Sequence, residues 1–258
     1  MTLEVGVERK QQGIEIPDKQ VIENRHSECF FTPERIIQFG DLVRDYNPIH
    51  RSIEAARKFN FEDTPVIGVH LDSIAGEISQ DLLEYLRRYN PLLNSLGQLT
   101  EFKKPVYPHT IPQWKIKEIR YAPDGREIKA TIESTLNNEV KTITGAHFGE
   151  NIAFTQRDPN NFVYSDNTGI EKFDTSEFYR LVDAKHRERV AYSQATASIP
   201  SILLEFLGKL NAKLGTNVKG YNLRMDSRFY AEPQIGEARI DIYDIARKGR
   251  GNKVMYKF

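Results

Sequence analysis

The sequence has little of what would make several functions easy to read. It holds one cysteine, Cys29, in 258 residues. A lone thiol forms no internal disulfide, and no CxxC or Cys/His cluster offers a ligand set for zinc. Cys29 reads as a small apolar residue on a strand. No apolar run approaches the roughly 20 residues that a membrane-spanning helix needs. The polar, mixed-charge start MTLEVGVERKQQGIEIPDKQ lacks the apolar stretch of a secretory signal. The expectation is a cytoplasmic chain without a membrane partner. An excess of one charge is also missing, because 36 Lys and Arg balance 36 Asp and Glu. No global field draws the chain to nucleic acid or anionic lipid, although a local basic patch could still hold a phosphate.

What is present is material for a core. Apolar residues make up 39% and charged residues 28%, which argues for a packed chain of one large or two smaller domains. Residues 1–25 read as a polar leader and 26–31 (HSECFF) as a short strand. Thr32-Pro33-Glu34 is a helix start, with a hydroxyl cap, proline at the first helical position and a carboxylate near the positive end. Ile36, Ile37, Phe39 and Leu42 give that helix an apolar face. Asn47-Pro48 ends it, since a residue before proline is pushed out of the α region. A second short helix is expected over 52–60. After Pro65, the apolar residues Ile67, Leu71, Ile74, Ala75, Ile78, Leu82, Tyr85 and Leu86 recur at three and four, predicting one long, mostly buried helix.

Extended segments follow at about 98–107, 111–121, 126–136 and 139–149. Turn signals separate them at Ala122-Pro123-Asp124-Gly125 and Asn137-Asn138. A meander after one long helix predicts α+β with an antiparallel sheet. Residues 150–172, rich in Asn, Asp and Gly, read as a linker, after which the plan returns. Asp174-Thr175-Ser176-Glu177 starts a helix, 189–198 is extended or irregular, and a second long helix spans about 199–215 with Gly215 at its end. Strand patterns lie at 226–232, 237–246 and 253–258, with a turn at Lys248-Gly249-Arg250-Gly251. The chain therefore reads as two similar units, 1–150 and 151–258, related by pattern and not by identity. The second meander is about one strand shorter.

The chemistry-bearing stretch is residues 36–56, IIQFGDLVRDYNPIHRSIEAA. Asp45 and His50 would lie on different sides of a continuous helix. Asn47-Pro48 forces a turn that can bring carboxylate and imidazole to one site, and the Asn47 amide can fix that turn. Such a pair suits water activation, because the carboxylate orients the water and the imidazole titrates near neutrality. For an isolated Asp-x4-His the plainer reading is a helix cap and a surface histidine. Here the surrounding residues matter. RDYNPIH, preceded by Phe39 and followed by Ala55 and Ala56, resembles the signature of the MaoC-like (R)-specific enoyl-thioester hydratases and dehydratases. Asp45, Asn47, Pro48, Ile49 and His50 match in order. The resemblance continues through Phe59, Pro65-Val66-Ile67 and FKKPVYP (102–108). It covers about residues 30–120, and beyond that it is architectural.

The resemblance implies a tandem (double) hot-dog fold, an antiparallel sheet wrapped around long central helices. It implies reversible hydration of 2-enoyl thioesters to (R)-3-hydroxyacyl thioesters carried on coenzyme A or an acyl-carrier protein. Asp45 and His50 would hold the water, Asn47 would position the turn, and the backbone N–H groups of Gly68 and Val69 would stabilise the enolate-like oxygen. No metal or redox cofactor is implied. Fused halves could act as a monomer or pair again as a homodimer. No second Asp-x4-His with Asn-Pro occurs after residue 150, so the later half would complete the sheet and shape the acyl site.

Three departures stand out. Arg44 replaces the family's Gly before the Asp, where it could crowd the site, bind a carrier phosphate or simply be solvated. The helix start reads Gly68-Val69-His70 where the family has His-Gly. His109 stands where the family often has Gly. The competing readings are a non-catalytic acyl-binding or complex-forming subunit and a hot-dog thioesterase.

Overall fold

A computed structural model describes residues 26–122, 126–150 and 174–184, Ala197, and the backbone of five short strands beyond residue 150. The leader, residues 123–125 of the first turn, the segment 189–198 apart from Ala197, the second long helix and the turn at 248–251 lie outside the described residues.

The described elements run in the order the sequence patterns suggest. Strand β1 is His26–Glu28, helix α1 Pro33–Leu42 and helix α2 Ile53–Arg57. Helix α3 is Gly68–Leu86, and the meander is β2 Asn94–Phe102, β3 Gln113–Tyr121, β4 Glu127–Leu136 and β5 Glu139–Gly149. Then come β6 Tyr164–Gly169, helix α4 Thr175–Val182, β7 Arg224–Arg228, β8 Glu237–Ile242, β9 Asp244–Arg247 and β10 Val254–Lys257.

The caps are those read from sequence. Thr32 Oγ1 accepts the Arg35 N–H at 3.1 Å, and the Asp174 carboxylate accepts the Glu177 N–H at 3.0 Å. Each satisfies an amide that the helix itself leaves free.

The main sheet has the order β1-β3-β4-β5-β2-β7, and every pairing in it is antiparallel. Asn137 and Asn138 both have positive φ, at 52° and 61°. That is the demand of a two-residue hairpin loop of matching twist, and it explains two asparagines there. In β3 the buried residues are Trp114, Ile116 and Ile119. A register shift between Ile116 and Glu118 moves the buried set from even to odd positions, as an extra bulged residue must.

Helix α3 packs against β2, β4 and β5, and 15 of its 19 residues are buried. A helix covered nearly all round sits in a core rather than on a surface. The helices α1 and α4 cover what the sheet leaves open, since Phe178, Tyr179, Leu181 and Val182 join the same apolar cluster as Ile36, Phe39 and Ile74. No described helix is long and apolar enough to cross a membrane.

Three expectations change. The strand predicted at 98–107 begins at Asn94 and ends at Phe102, because the backbone beyond it is interrupted by Pro105 and Pro108. The segment read as linker contains β6, which pairs with β8. The single strand predicted at 237–246 is two, β8 and β9, in different sheets, with β9 pairing β10.

Candidate active site

The site is assembled by a helix end, a turn and a helix start. At the end of α1, Arg44 N–H bonds Asp41 O at 3.3 Å and Asp45 N–H bonds Gly40 O at 2.7 Å. These two bonds form a Schellman closure, which requires a left-handed residue between them. Arg44 supplies it with φ 56°. Gly40 makes the closure possible, because a Cβ there would lie 2.9 Å from Asp45 O and 3.1 Å from the Ile67 side chain.

The turn is then fixed by its own polar side chains. Asp45 Oδ1 accepts the Asn47 N–H at 3.0 Å, and Asn47 Oδ1 accepts the Ile49 N–H at 3.3 Å. Pro48 opens a 3₁₀ turn, Pro48–His50, whose φ it presets. His50 N–H closes it on Asn47 O at 3.1 Å.

The chain thereby folds back, and His50 Nε2 faces Asp45 Oδ2 at 4.0 Å, with side-chain exposures of 11% and 10%. His50 Nδ1 lies 2.7 Å from Pro65 O. A carbonyl only accepts, so Nδ1 carries the proton and the neutral ring turns its Nε2 lone pair to the carboxylate. Burial holds the His50 pKa below its usual 6.5, partly offset by the Asp45 charge and the Pro65 bond and reinforced by Arg51. The neutral form is the resident one near neutrality. Two acceptors 4.0 Å apart do not bond each other. One water donating to both would span about 4.4 Å with bonds of about 2.8 Å, so the gap fits one such molecule.

Arg44 is exposed and points no bond at the pair. The neighbouring cation, Arg51, pairs with Asp41 at 2.6 Å and lies over the Tyr46 ring at 5.1 Å. The left-handed φ of Arg44 gives a backbone reason for glycine at this place in the resembling family. His109 has the same character, with φ 60°.

Pro65, the anchor of His50, stands three residues before Gly68, the first residue of α3. The N–H groups of Gly68 and Val69 have no acceptor among the described residues, whereas His70 N–H returns to Ile67 O at 2.9 Å. They are the free donors of a long helix's positive end. The Phe102 ring lies 3.2 Å from where a Gly68 Cβ would be.

One turn further, Asp72 is buried under the sheet. Its Oδ1 accepts from Gln98 Nε2 at 2.7 Å and from the Thr100 hydroxyl, which meets Thr144 Oγ1 at 2.9 Å. Burial pushes the Asp72 carboxyl up, favouring the neutral acid. Sequence reading missed this tie between the start of α3 and the sheet. Its only local signal is an acid inside an apolar helical run.

Of the other singled-out residues, Cys29 and His147 take no part in this site. Cys29 is fully buried and its thiol is pushed up to about 12 by desolvation. His147 pairs with Glu127 at 3.2 Å near the surface. The side chains of His26, His186, Tyr192 and Ser193 lie outside the described residues. Among the described residues no group of three or more His, Cys, Asp or Glu could hold a metal ion.

A curved antiparallel sheet around a long buried helix, extended by the later strand β7, is the hot-dog class of fold. Comparison with known proteins specifies it further. No family model and no curated protein matches the sequence. Solved structures do match. One is a MaoC-like dehydratase, at TM-score 0.53 and 12% identity over 92% of this chain and 97% of that one. Another is a putative MaoC domain protein dehydratase from Chloroflexus aurantiacus J-10-fl, at 0.54 and 13% over 86% and 80%. A third is a MaoC-like dehydratase from Phytophthora Capsici, at 0.53 and 10% over 93% and 91%. The chain has the double hot-dog fold of the MaoC-like dehydratases.

Proposed function

We propose that this protein is a hydratase/dehydratase that adds water reversibly to 2-enoyl thioesters, giving (R)-3-hydroxyacyl thioesters. The observation that carries the proposal is the 4.0 Å approach of His50 Nε2 to Asp45 Oδ2, with the imidazole proton held on Nδ1 by Pro65 O. A water donating one hydrogen to each acceptor has its oxygen lone pair free for C3.

The steps balance with these groups alone. His50 Nε2 takes one water proton as the C3–O bond forms. The π electrons move through C2 to the thioester oxygen, which the Gly68 and Val69 N–H groups receive. Such preorganised donors are worth about 10²–10³ in rate where they have been removed in other enzymes. The imidazolium then returns the proton to C2. The second water hydrogen stays on the oxygen as the hydrogen of the new C3 hydroxyl, hydrogen-bonded to Asp45, whose charge also stabilises the imidazolium. Dehydration is the reverse.

In this reading residues 1–150 carry the chemistry, and 151–258 form a partner half that completes the sheet, a role supported by the pairing of β7 with β2. The thioester is borne by coenzyme A or an acyl-carrier protein, and the chain acts in the cytoplasm as a monomer or a homodimer.

The test is loss of enoyl-thioester absorbance with crotonyl-CoA, a longer 2-enoyl-CoA and an acyl-carrier-protein enoyl thioester. Wild type should hydrate at least one. His50→Ala and Asp45→Ala should lower kcat/KM by about 10²–10⁴-fold, the usual worth of a general base, with unchanged folding. Hydrolysis to free thiol without hydration would establish a thioesterase instead. Tight binding of an acyl thioester with no turnover would establish a binding subunit.

A further inference from the structure

The acid/base pair and the amide donors belong to different helices. Asp45 is delivered by the end of α1, and Gly68 and Val69 begin α3. Both helices are tied to one atom in the later half of the chain. Leu181 O, in the last turn of α4, accepts from Arg35 Nε at 2.9 Å and from His70 Nε2 at 2.9 Å. Carbonyls of a last helical turn have no partner within the helix and carry its negative end, so cationic and N–H donors suit them. The rest of the Arg35 fork bonds Arg180 O at 3.1 Å and Phe30 O at 3.3 Å, and it lies 3.7 Å from the Asp183 carboxylate. Arg180 in turn reaches Gln38 Oε1 at 2.9 Å.

His70 is there for this bond. It is fully buried, stacked on Phe39 at 3.9 Å and 3°, and edge-on to Phe31 at 5.0 Å. Its Nδ1 has no partner among the described residues. Leaving a buried ring nitrogen unbonded is unfavourable, and a phenyl ring would fill the same space without that cost. What a phenyl ring lacks is the N–H that reaches Leu181 O.

We propose that the Leu181 carbonyl is a latch that sets the spacing between the Asp45/His50 pair and the Gly68/Val69 donors, with His70 and Arg35 as positioning residues. The proposal rests on the hydratase reading. It gives the half without the motif a part in the chemistry, exerted through α4. Loosening the latch shifts the two groups that meet only in the transition state, so it lowers kcat and leaves ground-state binding alone.

The test uses the full chain and the enoyl thioester that wild type turns over best. His70→Phe keeps the ring and the stack and removes the donor, and His70→Gln restores an N–H. His70→Phe should lower kcat about 10–100-fold, the scale of a misplacement near 1 Å, with KM held within about twofold. The acid limb of kcat/KM should stay in place, because His50 keeps Asp45 and the Pro65 carbonyl as its partners. His70→Gln should recover part of kcat. If His70→Phe does not fold, Arg35→Met tests the other arm with the same expected kcat loss. A folded His70→Phe, or in its place a folded Arg35→Met, with wild-type kcat overturns the latch. If wild type turns over no enoyl thioester, the hydratase reading fails separately. Hydrogen exchange then decides for the latch. Faster exchange across 43–51 and 67–74 in the variant supports it, and unchanged exchange overturns it.

Discussion

The turn around His50 and the helix junction around His70 each bury an imidazole, and each bonds one ring nitrogen to a main-chain carbonyl, Pro65 O at 2.7 Å and Leu181 O at 2.9 Å. They differ in what the second nitrogen meets. His50 Nε2 faces a carboxylate across a gap of one water's width. His70 Nδ1 faces no partner among the described residues, and the ring stacks on Phe39 and meets Phe31 edge-on. Burial lowers both pKa values, but the Asp45 charge opposes the shift at His50, whereas desolvation takes His70 to about 3. The comparison teaches that burial alone does not equip a histidine for acid/base work. The free nitrogen needs an opposing charge and room for a reactant.

The largest expected effect separates the two rings by acid. A His70 pKa near 3 in the folded chain against about 6.5 unfolded means the unfolded state binds the extra proton between those values. Stability from the neutral ring is therefore complete above pH 6.5 and is lost as pH falls toward 3, by up to about 1.4 kcal/mol per pH unit. Urea midpoints of wild type and His70→Phe should be compared from pH 7 to pH 3.5. The variant should lose less stability in acid, since carboxylate effects are common to both. Parallel curves would break the contrast by showing that His70 is not held neutral. His50 gives the counterpart for the proposed reaction. In that proposal turnover requires its neutral form, so the acid limb of kcat/KM should have its midpoint below pH 6.5, as a property of the Asp45/His50 pair.

A smaller effect should come from Gly40, which touches the His50 region without contributing a polar side chain to it. In Gly40→Ala the new Cβ would sit 2.9 Å from Asp45 O, a backbone atom. The expected cost is about 1–3 kcal/mol, typical of overpacking. Because Asp45 must give way, kcat should fall beyond what the stability loss explains. Thermal unfolding and steady-state rates on the folded variant would check this. A destabilised variant with wild-type kcat would mean that the closure of α1 does not place the carboxylate.

What the sequence made legible follows from the range of the interactions. The Thr32 cap, the α3 periodicity and the Asn137-Asn138 hairpin are decided within about one turn of chain, and all three stand where the pattern put them. The Asp45–His50 convergence was legible for the same reason, since Asn47 and Pro48 lie between them. The latch was not. Its bonds join residues 111 and 146 positions apart, and no local pattern encodes a distant carbonyl. Nor was β6, whose Tyr164-Ser165-Asp166-Asn167-Thr168-Gly169 lacks apolar alternation and owes its strand to pairing with β8. Nor was the tie of Asp72 to Gln98 and Thr100, which lie 26 and 28 positions further along the chain.

The smallest predicted effect concerns Arg44, which from sequence could crowd the site, bind a carrier phosphate or simply be solvated. Its side chain is exposed, and its departure from glycine matters through the backbone, with φ 56°. A left-handed conformation costs a residue with a Cβ about 1–2 kcal/mol, partly offset because glycine loses more freedom on folding. Arg44→Gly should therefore stabilise the chain by about 0.5–1 kcal/mol and raise Tm by roughly 1–4 °C. Because no bond from the guanidinium reaches Asp45 or His50, kcat should stay within twofold of wild type, a change of about 0.4 kcal/mol. His109→Gly, at φ 60° and far along the chain, should stabilise by a similar amount and serves as the matched control. If Arg44→Gly instead loses activity while His109→Gly does not, the guanidinium holds part of the substrate, and the exposed cation beside the pair becomes the first place to look for a carrier phosphate.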